Sequence, residues 1–336
     1  MRIDAYTHFI PQAFFKKLTD MGLGDIVKRV SEIPCMHDLD VRKKIVDSFK
    51  DYAQILSYSM PPIELLAKGE QITEYCKLIN DGFADICGKN ADHFPGWVAQ
   101  TSLALPDAGV AEAERAIKNG ALGVQIYTNI AGKPLDDPAF EPFFAAMNRI
   151  DKPIWMHPAR SANFPDYVTE KKSKYEIWWT LGWSYETAAA MSRLVISGIM
   201  DKYPKLKIIT HHFGGIVPML EGRLGPGWDQ IGARTSDEDL QAVKNRLKKR
   251  PLDYFKHSFY CDTAVFGGKP ATECGLAFYD ADKIVFASDC PFDPEKGTYY
   301  IRETLKILDG LKLPKAKYKA IMHGNLEKLT GRKLVK

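Results

Sequence analysis

The sequence predicts an α/β fold, a (β/α)8 barrel spanning the whole chain, and three observations carry that expectation. Short apolar segments rich in β-branched residues alternate with longer helix-like stretches, as parallel β/α units do. Eight such segments can be counted along the chain. No internal repeat, low-complexity tract or Pro/Gly-rich linker divides the 336 residues, so residues 1–336 are expected to form a single domain.

In order, the strands are expected at Arg2–Tyr6, Ala53–Ser57, Gly96–Ser102, Gly123–Thr128, Pro153–His157, Lys207–His211, Phe259–Thr263 and Ile284–Ser288. Helices are expected between them at Val41–Lys50, Gln71–Asn90, Ala108–Asn119, Ala139–Ile150 and Glu186–Met200. Asp38 or Asp40 is placed to cap the helix that starts near Val41, and Gly120 follows Asn119 where a left-handed stop is useful. Two longer connections, about 158–184 after the fifth strand and 222–257 after the sixth, should each overhang one end of the barrel. The first carries Trp178, Trp179 and Trp183 beside Lys171, Lys172 and Lys174. It suits a lid or a contact in a homodimer or higher homo-oligomer, and equally a plain surface packing layer.

Composition narrows the function classes. The net charge of +4 is spread along the chain, and its densest basic stretches, Lys171-Lys172-Ser173-Lys174 and Lys248-Lys249-Arg250, are too short for a nucleic-acid footprint. No run approaches the roughly 18 apolar residues that a membrane span needs. Met1 leads straight into the first strand without a basic leader. The six cysteines (Cys35, Cys76, Cys87, Cys261, Cys274 and Cys290) form no CxxC pair, which argues against a disulfide framework. A cytoplasmic protein without nucleic-acid or membrane partners is expected.

His8, His157, His212 and Asp289 each fall at, or one or two positions beyond, the C-terminal end of an expected strand: the first, fifth, sixth and eighth. In a (β/α)8 barrel those ends converge on the face that carries active sites. One histidine near a strand end is more often structural, but the agreement of three with an aspartate reverses that reading. Imidazoles with a carboxylate suit a borderline divalent ion such as Zn²⁺, Mn²⁺ or Fe²⁺ and leave positions open for water or substrate. His37, His93, His257 and His323 do not share the pattern and are expected to be structural or surface residues.

The motifs follow one another as in the amidohydrolase-related decarboxylases around aminocarboxymuconate semialdehyde decarboxylase and γ-resorcylate decarboxylase. Asp4-Ala5-Tyr6-Thr7-His8-Phe9-Ile10-Pro11 resembles the family's opening Asp-x-His-x-His-x-x-Pro. Asp40-Val41-Arg42 through Gln54-Ile55-Leu56-Ser57 resembles its first helix and second strand, and Trp155-Met156-His157-Pro158 its fifth-strand ligand motif. Tyr203-Pro204-Lys205-Leu206-Lys207 leading into His212-Phe213-Gly214-Gly215 resembles the sixth, and Ala287-Ser288-Asp289-Cys290-Pro291-Phe292 the eighth.

The resemblance implies an amidohydrolase-type TIM barrel that decarboxylates a small hydroxylated aromatic or unsaturated carboxylic acid without oxidation. Hydrolysis of an amide or lactone, or hydration of a double bond, is the alternative on the same metal face, since fold does not fix function. A silent barrel that only binds a metabolite or a partner is a third reading, against which the four clustered residues speak. It implies one divalent ion, zinc or manganese, held by His8, His157 and Asp289, and no organic cofactor. Asp289 and His212 would be catalytic, and Arg42 and Tyr6 would meet the substrate; the alternative for Arg42 is a surface position on its helix.

Tyr6 departs from the pattern, because the family usually places histidine or an acid there and a phenol of pKa about 10 is a poor ligand. The site is then expected to rest on His8, His157 and Asp289, with or without His212, and to bind metal weakly; loss of the metal altogether is the alternative. Of the adjacent pair His211 and His212, only one would point inward if strand geometry continued through both. Aligning the Gly-Gly that follows with the family motif selects His212, leaving His211 turned toward the helices.

Overall fold

Each apolar segment does become a strand at an inner ring. The computed structural model of the chain describes residues 1–22 and 25–335. The strands are β1 (Arg2–His8), β2 (Tyr52–Ser57), β3 (Gly96–Trp97), β4 (Ala99–Gln100), β5 (Val124–Tyr127), β6 (Ile154–His157), β7 (Ile208–Thr210), β8 (Tyr260–Asp262) and β9 (Ile284–Val285). These neighbours all pair in parallel, in the orders β1-β2-β3 and β4-β5-β6-β7-β8-β9, and outside them Asn129–Ile130 and Lys133–Pro134 form a short antiparallel hairpin.

Two seams join these sheets. The Val98 N–H donates to Leu56 O (2.8 Å) and the Leu122 N–H to Trp97 O (2.9 Å), so β3 and β4 form one strand interrupted at Val98. On the other side the Ala5 N–H donates to Phe286 O (2.8 Å) and the His8 N–H to Cys290 O (2.7 Å), closing β9 onto β1. The result is a ring of eight strand positions, an α/β barrel of TIM type.

Several strands are shorter than expected because side chains replace the ladder at the rim. Thr263 Oγ1 donates to Ala287 O (2.9 Å) and accepts from the Ala287 N–H (3.0 Å), and Asp4 Oδ1 accepts from the Ser288 N–H (3.0 Å). Backbone groups there stay satisfied without strand pairing.

The barrel interior is filled by Ile3, Ala5, Ile55, Val98, Trp155, Ile209 and Val285, all buried. Leu326 and Leu329, on the C-terminal helix Asn325–Thr330, pack against the same cluster. A larger apolar layer lies between barrel and helices. It receives one face each of α1 (Leu39–Asp47), α2 (Glu70–Lys89), α3 (Pro106–Lys118), α4 (Glu141–Ile150) and α5 (Gly182–Ile196). These begin within a few residues of the expected positions. Asp38 rather than Asp40 caps α1, accepting from the N–H groups of Asp40 (2.9 Å) and Val41 (3.1 Å). Asp38→Ala is expected to lower stability by about 1 kcal/mol, read as a lower urea midpoint at unchanged slope.

The connection 158–184 reaches the end of the barrel that carries the clustered histidines, with the Trp183 ring 5.5 Å from that of His157. The connection 222–257 folds into helices Glu221–Asp229, Leu240–Asn245 and Pro251–His257, the first and last of them joined by Trp228 stacked on Phe255. Among the described residues no helix is long and apolar enough to cross a membrane. All six cysteines are free thiols.

Candidate metal and catalytic centre

Five strand ends bring four imidazoles and two carboxylates together. His8, at the end of β1, is fully buried. The pairing register of β1 shifts between Asp4 and Thr7, and the Tyr6 and His8 rings lie 5.0 Å apart, on one face as the alternation of a strand requires. Ser57, at the end of β2, donates its hydroxyl to Thr7 O (3.0 Å) and thereby accepts from His8 Nδ1 (3.0 Å). His8 Nε2 lies 2.9 Å from Asp289 Oδ1. At the end of β6, His157 Nδ1 donates to Pro158 O (2.7 Å), which leaves Nε2 as its lone-pair atom.

The sixth strand end differs from the sequence expectation. His211 does not turn toward the helices: it is fully buried in the cluster, 5.4 Å from the His157 ring and 4.5 Å from that of Tyr6. Strict alternation fails because β7 ends at Thr210 and the chain then turns left-handed, with φ +56° at His212 and +52° at Phe213. Non-glycine residues rarely adopt that region, and here it lets both histidines face inward with their rings stacked 3.7 Å apart. Asp262, at the end of β8, holds the turn. Its Oδ2 lies 2.5 Å from His211 Nδ1, while Oδ1 accepts from the N–H groups of His212 and Ala264, both at 3.0 Å.

Asp262 is a residue of this cluster that sequence reasoning missed, although it lies one position before the end of an expected strand and ends β8. Asp289 completes the cluster, itself at φ +65°. Its Oδ1 lies 3.3 Å from His211 Nε2 and its Oδ2 lies 3.5 Å from His212 Nε2. Neither imidazole nitrogen has an aligned hydrogen-bond partner. These contacts act through charge.

The electrostatics are coupled. Burial alone would raise the Asp289 carboxyl, but the charge of His211 and the contacts with His211, His212 and His8 hold it well below the usual carboxylate range. Burial pulls His211 down, and Asp262 and Asp289 overcome it, carrying the imidazole up to about 10. His157 is pushed well below its ordinary value by burial and by its neighbours His8 and His211. Burial also lowers His8 and His212, against the opposing pull of Asp289.

The donor set fits a divalent cation. With Nδ1–H of His8 and His157 committed to Ser57 and Pro158, each neutral ring offers only a lone pair inward. At 2.9 Å, His8 Nε2 and Asp289 Oδ1 are then two acceptors facing one another, an arrangement that a cation resolves. One donor atom from each of His8, His157 and His211 lies within 4.8 Å of the others, and His211, His212 and Asp289 form a second such group.

Tyr6 and Arg42 stand beside this centre rather than in it. The Tyr6 hydroxyl donates to Gln125 Oε1 (2.8 Å), and burial, with Asp262 and Asp289 nearby, raises the phenol well above its ordinary value. Arg42 is not on the surface, the alternative its sequence position left open: it is fully buried. Its Nε donates to Gln54 Oε1 (2.7 Å) and Nη1 to Cys35 O (3.3 Å), while Nη2 is unpartnered. The remaining histidines lie elsewhere, His37 stacked on Phe15 and His93, His257 and His323 beside Asp47, Asp280 and Glu327.

Aromatic side chains surround the polar cluster. Trp183 packs edge-on to His157 (5.5 Å), Phe292 against His8 (5.6 Å) and Phe266 against His212 (5.3 Å), with Tyr300 on Phe266 (4.4 Å). The Trp183 indole donates to Arg160 O (2.9 Å), which fixes its ring.

Comparison with known proteins gives the family and the fold. The amidohydrolase family profile matches residues 41–332. The γ-resorcylate decarboxylase of Rhodococcus jostii is 29% identical over 268 residues, 76% of this chain and 77% of that protein. The 2-amino-3-carboxymuconate-6-semialdehyde decarboxylase of Dictyostelium discoideum is 24% identical over 310 residues, 87% and 82% of the two chains. Among solved structures, a 5-carboxyvanillate decarboxylase of Novosphingobium aromaticivorans with bound manganese superposes with TM-score 0.83 at 23% identity, over 98% of this chain and 97% of that one.

Proposed function

Because the chain belongs to the amidohydrolase family, we propose that it is a metal-dependent, non-oxidative decarboxylase of a small hydroxylated aromatic or unsaturated carboxylic acid. The observation that carries this reading is the cluster in which His211 groups with His8 and His157 on one side and with His212 and Asp289 on the other, His8 meeting Asp289 at 2.9 Å, among the rings of Trp183, Phe266 and Phe292. The names of the relatives, decarboxylases of hydroxylated or unsaturated acids, support the same choice of reaction.

His8, His157 and Asp289 would hold the ion, zinc or manganese, and no organic cofactor is invoked. When bound, the ion supplies Lewis-acid charge for the substrate's carboxylate and a neighbouring oxygen. The barrier to losing CO₂ is the carbanion-like charge left at the ring carbon, so protonating that carbon first lets the C–C bond break to a neutral product. Asp289 delivers the proton and His212 assists. An ionised Asp289 must first take up that proton, and His212 Nε2, 3.5 Å from Oδ2, is a neighbouring shuttle. Arg42 and Tyr6 act on the substrate from behind this layer, Arg42 through its buried charge and Tyr6 through its ring and its bond to Gln125.

The aromatic rim offers apolar contact to an unsaturated ring. Trp183→Ala is expected to raise KM by roughly 3- to 10-fold, the worth of one aromatic contact, with kcat changed less. The same connection also exposes Tyr167, Val168, Tyr175 and Leu181, which supports self-association, tested by mass in solution. The free thiols support a cytoplasmic setting. A carbon dioxide assay on a panel of hydroxybenzoates, run beside amides and lactones, tests the reaction. CO₂ from the acids supports decarboxylation; turnover of only the amides or lactones assigns a hydrolase.

A further inference from the structure

We propose that His211, oriented by Asp262, is a primary metal ligand in this chain alongside His8, His157 and Asp289. This rests on the reading above that the centre binds a divalent ion, and it goes beyond that reading in the ligand set.

Three observations converge. His211 Nε2 is buried with no aligned hydrogen-bond partner, 3.3 Å from Asp289 Oδ1, and one donor atom of His211 lies within 4.8 Å of those of both His8 and His157. Its Nδ1 is bound by Asp262 Oδ2 at 2.5 Å, and the other oxygen of Asp262 is anchored by two backbone N–H groups. A carboxylate behind an imidazole fixes tautomer and ring direction and makes the outward nitrogen a stronger donor, the usual support of a metal-bound histidine.

His212 also has a buried, unpartnered Nε2, but only His211 has its Nδ1 bound by Asp262. His212 groups with His211 and Asp289 but not with His8 and His157; its side chain keeps 10% exposure and packs on Phe266. It is free to handle protons. Tyr6 shares the inner face with His8, yet its hydroxyl hydrogen is given to Gln125. The ion therefore has four protein donors without Tyr6, and the weak binding that a tyrosine at this position suggested is not expected.

The test is a metal titration without substrate, so it reads the ligand set whatever the reaction proves to be. Wild type, Tyr6→Phe, His212→Asn, Asp262→Asn and His211→Ala are stripped of metal and titrated with Zn²⁺ against a chromophoric chelator. Tyr6→Phe and His212→Asn should bind as wild type does. Asp262→Asn should bind about 10- to 100-fold more weakly, the range for loss of an outer partner, and His211→Ala more weakly still. Because His211→Ala empties a buried position, ¹⁵N-histidine wild-type protein loaded with ¹¹³Cd²⁺ gives a second reading. Three imidazoles should show nitrogen–cadmium coupling, and all three should persist in His212→Asn. Two coupled imidazoles, loss of one in His212→Asn, or wild-type affinity in His211→Ala would overturn the assignment. If the ligand set holds while no acid releases CO₂, only the proposed reaction fails.

Discussion

Asp289→Asn is expected to reduce turnover by at least about 10²-fold, the lower range for loss of a general acid or base. The substitution is nearly isosteric, but an amide neither exchanges the proton nor carries the charge. Both losses matter here. Asp289 meets His8 at 2.9 Å, His211 at 3.3 Å and His212 at 3.5 Å, so its carboxylate lies against three rings and is the counter-charge of His211. The variant should also bind metal more weakly, and the kinetic comparison must be made on metal-saturated protein. Near-normal kcat under those conditions would remove Asp289 from the chemistry.

His212→Ala is expected to keep its metal and lose turnover by roughly 10²- to 10⁴-fold. Separating this residue from its neighbour is the purpose of the prediction. The two rings stack 3.7 Å apart, yet the side chain bound by a buried carboxylate is His211, while His212 receives only a backbone contact from Asp262. Because His212 sits at φ +56°, alanine adds backbone strain, and His212→Asn is the better control since asparagine tolerates that region. Both variants should lose kcat with metal content near wild type. Stoichiometric loss of metal in both would make His212 a ligand and leave the proton without its assistant.

Much of this centre was legible in the sequence because a barrel turns strand ends into a common surface. His8, His157 and Asp289 needed only the expected ends of their strands, and His211 lies between them, grouping with His8 and His157 and again with Asp289. The sixth strand was not legible in the same way. Alternation assumes extended backbone, but β7 stops at Thr210 and the left-handed turn through His212 and Phe213 is made by Asp262, distant in sequence. Asp262 itself was available to the same argument, as an acid one position before the end of the seventh expected strand. The burial of Arg42 was hidden for a different reason: its partner Gln54 comes from β2 and its other contact is a backbone carbonyl, Cys35 O, neither of which a helical pattern reveals.

Decarboxylation through prior protonation of the carboxylated carbon is the central claim, and one isotope experiment meets it directly. Metal-loaded protein is incubated in D₂O with hydroxybenzoates carrying ¹³C in the carboxyl group, beginning with 2,6-dihydroxybenzoate. The account predicts labelled CO₂ in equal amount to the phenol formed, with one deuterium at the carbon that bore the carboxylate and no turnover after the metal is removed. Labelled acid recovered intact across the panel, while an amide or lactone is consumed, would contradict it.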